Sequence, residues 1–158
     1  MKNLLTGLFA FLFAALFSSF AIAQVALTVA VSGGDVVKTF TLDELKALGE
    51  VEIRTSNEFV DGERLFRGPL VRDVLRASKA AESSRVWLTA ANDYQVEVDP
   101  KEFFDYDAIL ALSMDGQPLS RRDKGPIWVI YPMSDNAELR DPVYNSRLIW
   151  QLVKLEYR

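Results

Sequence analysis

The strongest constraint on this chain is the brevity of its apolar runs. From residue 25 onward each lasts only a few residues before a turn signal cuts it, and most follow one another with no helix between. Val25 to Val31 alternates, with Leu27, Val29 and Val31 on one face. Ser32-Gly33-Gly34-Asp35 makes a turn, and Val36 to Phe40 returns as a hairpin partner. Further strands are expected at Val51 to Thr55, Val86 to Ala90, Gln95 to Val98, Ala108 to Met114, Ile127 to Tyr131 and Leu148 to Tyr157. A chain punctuated in this way folds as an α+β domain around a mixed, mostly antiparallel sheet, partly closed into a barrel.

Helices are few. Thr41-Leu42-Asp43-Glu44 reads as a capping box, in which the Thr41 hydroxyl takes the amide of Glu44 while Glu44 reaches back. Leu42, Leu45 and Leu48 give that helix an apolar face, and Gly49 ends it. Gly68-Pro69 opens a second helix with Pro69 in its first turn and Leu70, Val71, Val74 and Leu75 facing inward. Pro100 to Phe104 suggests a helical turn, and Asp115-Gly116 a tight turn. Residues 56–67 and 132–147 read as loops of more than the usual connection length, and such loops are often binding loops.

Residues 1–23 have the form of a secretory signal peptide: Lys2, an apolar run from Leu4 to Phe17 broken by Thr6 and Gly7, then small residues ending at Ala23. Cleavage there leaves a single domain, 24–158, in the periplasm or otherwise exported. An uncleaved anchor is the other reading, although the apolar run is shorter than the roughly 20 residues a spanning helix needs. Losing Lys2 takes the formal charge from −4 to about −5. So acidic a domain is a poor partner for nucleic acid, whose phosphates call for a basic surface. The chain has no Cys and no His. That excludes disulfides, a Ser-His-Asp triad, an imidazole base, and thiolate or imidazole metal sites. Oxygen-ligated metals stay open, but no Asp-rich calcium loop is present.

The candidate binding residues sit between the strands. Arg121, Arg122, Asp123 and Lys124 precede Gly125-Pro126 and a strongly apolar strand. Guanidinium groups fork onto carbonyl or phosphate oxygens, a carboxylate can accept two N–H bonds from the edge of a heterocycle, and Gly125 lets backbone come close. From the residues alone a solvated turn is the favoured reading of this run, with Arg122 and Lys124 the contacts if it holds a ligand. Asn92, Asp93 and Tyr94 carry turn chemistry, yet Tyr94 can stack on a flat ring while Asn92 or Asp93 reads its edge. Trp128 and Trp150 are read as core residues, and Tyr131, at the end of its strand before Pro132, as lining a mouth.

"FRGPLVRDVL" (66–75), "AANDYQVEVD" (90–99), "AILALSMDGQPLSRRDKGPIWVIYP" (108–132) and "SRLIWQLVKLEY" (146–157) follow one another in an order that resembles the sulfite-oxidase-type, oxidoreductase molybdopterin-binding domain family over roughly residues 64–157. The resemblance implies that fold and a pterin or molybdopterin-like ligand. Catalytic members hold molybdenum with a cysteine thiolate on the loop after the strand that here ends near Arg54-Thr55-Ser56-Asn57, and this chain has no Cys to offer. The resemblance therefore implies contact roles for Arg54, Thr55 and Asn57, and it brings the loop carrying Tyr144 and Arg147 toward the ligand, with a surface ion pair as the alternative for Arg147. The function it implies is a non-catalytic domain, without molybdenum, that binds a small flat heterocycle and acts through the periplasmic portion of a membrane-bound signalling protein. A molybdopterin-dependent oxidoreductase lacking the usual Cys ligand, and a domain that binds only protein, are the rival readings.

Overall fold

Alternation and turn chemistry build the first sheet. β1 (Leu27–Val31) and β2 (Val36–Phe40) form the expected antiparallel hairpin. In the computed structural model, which describes residues 24–158, the last strand, β11 (Leu152–Tyr157), lies parallel to β1. The signal peptide expected at 1–23 lies outside the described residues. β5 (Val86–Ala90) and β6 (Gln95–Val98), both at the expected bounds, complete the five-stranded order β2-β1-β11-β5-β6.

Helix α1 (Leu42–Ala47) starts from the capping box read in the sequence: Glu44 N–H donates to the Thr41 hydroxyl at 3.2 Å, and Thr41 N–H donates to the Glu44 carboxylate at 2.8 Å. These bonds hold the Glu44 carboxyl below its ordinary pKa. β3 (Glu50–Thr55) then pairs with β4 (Arg64–Pro69) along its whole length, from Glu50 opposite Pro69 to Thr55 opposite Arg64. This corrects two expectations. Residues 64–67 are strand rather than loop, and Gly68-Pro69 ends that strand instead of opening a helix. The polar Arg64 and Arg67 hid the pattern, because only Phe66, Gly68 and Pro69 of this strand are buried. Helix α2 (Val71–Ala77) starts after Leu70, its first amide held at 2.9 Å by the carbonyl of Ala108.

The apolar stretch 108–114 serves two sheets. β7 (Ile109–Ala111) pairs with β10 (Trp128–Ile130), while β8 (Ser113–Met114) pairs with β4 and, through the Asp115-Gly116 turn, with β9 (Gln117–Pro118). Both turn residues have positive φ, +50° and +77°, as a two-residue hairpin turn requires. Three sheets result, and among the described residues none closes into a barrel.

The β7–β10 pair is buried on both faces, which explains why its strands read as continuous apolar runs. Ile109, Ala111, Trp128 and Ile130 join a small core with Ile53 and Phe66. Leu110, Ile127, Val129 and Tyr131 join the main core under the five-stranded sheet. Burying a residue such as Phe66 contributes about 1.5–3 kcal/mol. Gly68 allows β4 to lie this close, since a Cβ there would stand 1.9 Å from the Leu110 carbonyl oxygen. Short helix α3 (Glu102–Asp105) follows β6, and two 3-10 helices, Ala137–Arg140 and Pro142–Arg147, fill the stretch expected as a bare loop.

Candidate ligand-binding site

Three connections meet beside the end of the five-stranded sheet and enclose a cavity of about 350 Å³. One is the β5–β6 turn. Asp93 occupies its apex at φ +65°, and the Asn92 side-chain carbonyl accepts the Tyr94 amide at 3.2 Å, so Asn92 and Tyr94 are presented on the cavity side. The second is the loop after β3, where the Asn57 side-chain carbonyl accepts the Phe59 amide at 2.8 Å and sets Phe59 in the wall. The third runs from the 3-10 helix at Pro142–Arg147 to Trp150 and contributes Asn145, Ser146, Leu148 and Ile149.

The walls are aromatic and amide-bearing. Phe59 meets Trp150 edge to face, with centroids 5.1 Å apart. Trp150 is 39% exposed and Tyr94 48%, an uncommon degree of exposure for such large rings. Asn145 donates its side-chain amide to Glu58, which braces two walls against each other. The Nδ2 of Asn57 is buried without a hydrogen-bond partner, an arrangement that ordinarily costs about 1–3 kcal/mol. None of the residues lining the cavity carries a charge. Aromatic faces with a few amide and hydroxyl groups suit a flat, neutral, hydrogen-bonding ring.

The expected site residues therefore divide. Asn92 and Tyr94 line the cavity, and Asn57 lies two residues from its Phe59 wall. Trp150, read from sequence as core, is a wall residue because β11 starts only at Leu152. Asp93 is at the exposed apex of its turn and does not line the cavity. Arg122 and Asp123 are also exposed, in a turn closed by the Ser120 carbonyl, which accepts the amides of Asp123 at 3.1 Å and Gly125 at 2.8 Å. Lys124 instead lies over the Trp128 ring, 5.2 Å from its centroid. At Gly125 the close approach is to the protein's own backbone, since a Cβ would meet the Leu119 carbonyl oxygen at 2.1 Å.

Tyr131 is fully buried, so it cannot line a mouth. Burial, with the neighbouring Glu102 carboxylate, holds its hydroxyl protonated to well above the ordinary pKa. Arg147 makes an ion pair with Glu102: Nη2 donates to Oε1 at 3.0 Å, and Nε lies 2.8 Å from Oε2, off the hydrogen-bond direction. Its guanidinium also lies over Tyr144, which sits among Tyr106 and Tyr131. Arg147 and Tyr144 thus hold the Pro142–Arg147 helix in place and do not line the cavity. Thr55 is buried and clasps the chain after β10, accepting the Ser134 amide at 3.0 Å.

Arg54 belongs to a larger cleft of about 550 Å³ on another face, whose lining also includes Glu52, Glu63, Asp105, Asp107 and Asp135. Size alone would favour that cleft, but its carboxylates suit cations rather than a neutral ring. No group of acidic residues among the described residues is arranged to hold a metal ion. Asn145 and Ser146 belong to the 144–147 loop expected near the ligand and do line the cavity, whereas Phe59 and Trp150 were not among the expected contacts. Phe59, a large aromatic residue inside a polar loop, was the available signal.

The model of the family described as Oxidoreductase molybdopterin binding domain matches residues 19–134. The match ends before the Asn145–Trp150 wall. No curated protein matches the chain at a significant level. Among solved structures, the sulfane dehydrogenase SoxCD from Paracoccus pantotrophus is similar, with a TM-score of 0.61 and 11% identity over 85% of this chain. The likeness shows the fold, and this chain spans 38% of the length of that one.

Proposed function

The chain belongs to the oxidoreductase molybdopterin-binding domain family, and on that premise we propose that it is an exported, non-catalytic member that binds a pterin-type ring in the Phe59–Tyr94–Trp150 cavity. One observation carries the reading: three aromatic side chains and the amides of Asn92 and Asn145 converge on a cavity with no charged lining residue. Its volume, about 350 Å³, falls in the range of small-ligand pockets, roughly 300–1,000 Å³.

The residues fit the pterin ring better than the full molybdenum cofactor. The chain has no cysteine to ligate molybdenum, and the cavity has no cationic side chain to receive a phosphate. No redox step is assigned to it. Tyr94 and Trp150 would stack on the ring, and Asn92, Asn145 and Ser146 would read its edge. In this reading the ligated state is relayed to the outer part of a membrane-bound signalling protein. Among the described residues no helix is long and apolar enough to cross a membrane.

The test is made on protein purified from an exported preparation, by assaying molybdenum together with pterin fluorescence of the acid-released supernatant. Pterin without molybdenum is the expected result. Stoichiometric molybdenum would overturn the reading and make the protein a molybdopterin-dependent oxidoreductase.

A further inference from the structure

Alternate residues of two neighbouring segments face two different cavities. Asn92 and Trp150 line the aromatic cavity, while Ala91 and Gln151 line a groove of about 360 Å³ behind it. The two segments are joined where the Ala91 amide donates to the Gln151 carbonyl at 2.9 Å. One layer of chain therefore separates the cavity from the groove.

The groove has an apolar floor, to which Val25, Leu42, Pro126 and Val153 contribute, and Arg121 is the charged residue of its lining. Val25 is 50% exposed and Val153 38%. Arg121 and its neighbour Arg122 are exposed and make no ion pair among the described residues. Arg54, Arg140 and Arg158 likewise make no ion pair among the described residues, and what sets Arg121 apart is that it is the charged residue in the lining of this groove. Gln151 ties this lip to the shared wall. Its side-chain amide donates to the Arg121 carbonyl at 2.8 Å and its backbone amide to the Lys124 carbonyl at 3.2 Å. It does so from a left-handed conformation, φ +52°, which strains a residue with a Cβ.

We infer that this groove docks an extended acidic segment of a partner protein, with apolar side chains on the Val25–Val153 floor and a carboxylate against Arg121. Charge complementarity selects that occupant: an unpaired guanidinium at the edge of an apolar floor is satisfied by a carboxylate flanked by apolar residues. The response of docking to ligand rests on the pterin reading above. Gln151 follows Trp150 in the chain and holds the Arg121 turn, so a ring stacked on Trp150 would reach that turn through one residue.

The test uses two labelled octapeptides, one alternating leucine with glutamate and the other leucine with lysine, followed by fluorescence anisotropy and amide chemical shifts. The glutamate peptide is expected to bind at least about tenfold more tightly, shifting the amides of Ala26, Ala91 and Gln151. Arg121→Glu and, separately, Val153→Asp should each weaken it about tenfold and leave pterin fluorescence quenching unchanged. Equal affinity for the two peptides, no binding, shifts elsewhere, or a dimer of the protein that the glutamate peptide does not dissociate would overturn the inference. Peptide binding without any pterin binding would instead overturn the proposed ligand and leave the groove standing.

Discussion

At the scale of single residues, Trp150 and Arg147 behave oppositely to what their types suggest. Trp150 is exposed enough to serve as a stacking platform. Trp150→Ala should weaken pterin binding by about 1–3 kcal/mol, as removal of an aromatic stacking partner does elsewhere. Tyr94→Ala should act in the same direction. Fluorescence titration measures both, and unchanged affinity in both would remove the aromatic cavity from consideration. Arg147 is a stability residue. Both its side chain and that of Glu102 are only 17% exposed. Arg147→Ala strands the carboxylate and should cost about 1–2 kcal/mol, less than the roughly 3–5 kcal/mol of a fully buried pair. Urea denaturation checks this, and the double variant Arg147→Met with Glu102→Gln should recover most of the loss. The resemblance puts Arg147 near the ligand because its loop approaches the site in the family; the ion pair, its alternative reading, is the contact the structure shows, with Glu102 of α3 as partner.

At the scale of elements, the contact between β4 and β7 and the β8–β9 turn are the points most open to test. Gly68→Ala would drive a methyl into the Leu110 carbonyl. Strand separation is the only relief, so a loss of several kcal/mol is expected, on the order of the largest single-residue effects. A thermal melt close to that of the parent protein would show that β4 does not lie as described. Asp115 anchors the turn to β4: its carboxylate accepts the Leu65 amide at 3.0 Å and an Arg64 N–H at 3.1 Å. The hydrogen bond from the Leu65 amide, opposed in part by desolvation and reinforced by Arg64, holds the Asp115 carboxyl below its ordinary pKa of 3.8. A depressed folded-state pKa means that this contribution is complete above the ordinary value and is lost as pH falls through the folded one. Asp115→Asn should therefore lower the urea midpoint near neutral pH and flatten its decline below about pH 4. An unchanged acid limb would show that other carboxylates carry it.

At the scale of the whole molecule, a ligand that binds only the folded chain must stabilise it. At a hundred times its dissociation constant the gain is about 2.7 kcal/mol, which in a domain of this size raises Tm by roughly 5–10 °C. The Trp150→Ala protein should lose most of that shift at the same ligand concentration. A reduced pterin that leaves the Tm of the parent protein unchanged would count against the cavity. No cysteine is present, so reducing agents used to keep the pterin reduced break no disulfide that could confuse the reading.

By itself, the sequence determined what depends on neighbours a few residues apart. The Thr41 capping box, the Asp115-Gly116 turn, the bounds of β5 and β6 and the α+β class follow from local hydrogen bonding and side-chain alternation. The order of motifs carried the family as well. Tertiary structure decided the rest, because it depends on partners far along the chain. β4 is a strand only because β3 and β8 pair with it. Glu102 claims Arg147 from 45 residues away. Residues 59, 94, 145 and 150 share a cavity only once β11 has come to lie between β1 and β5, since that placement brings three distant loops to one end of the sheet.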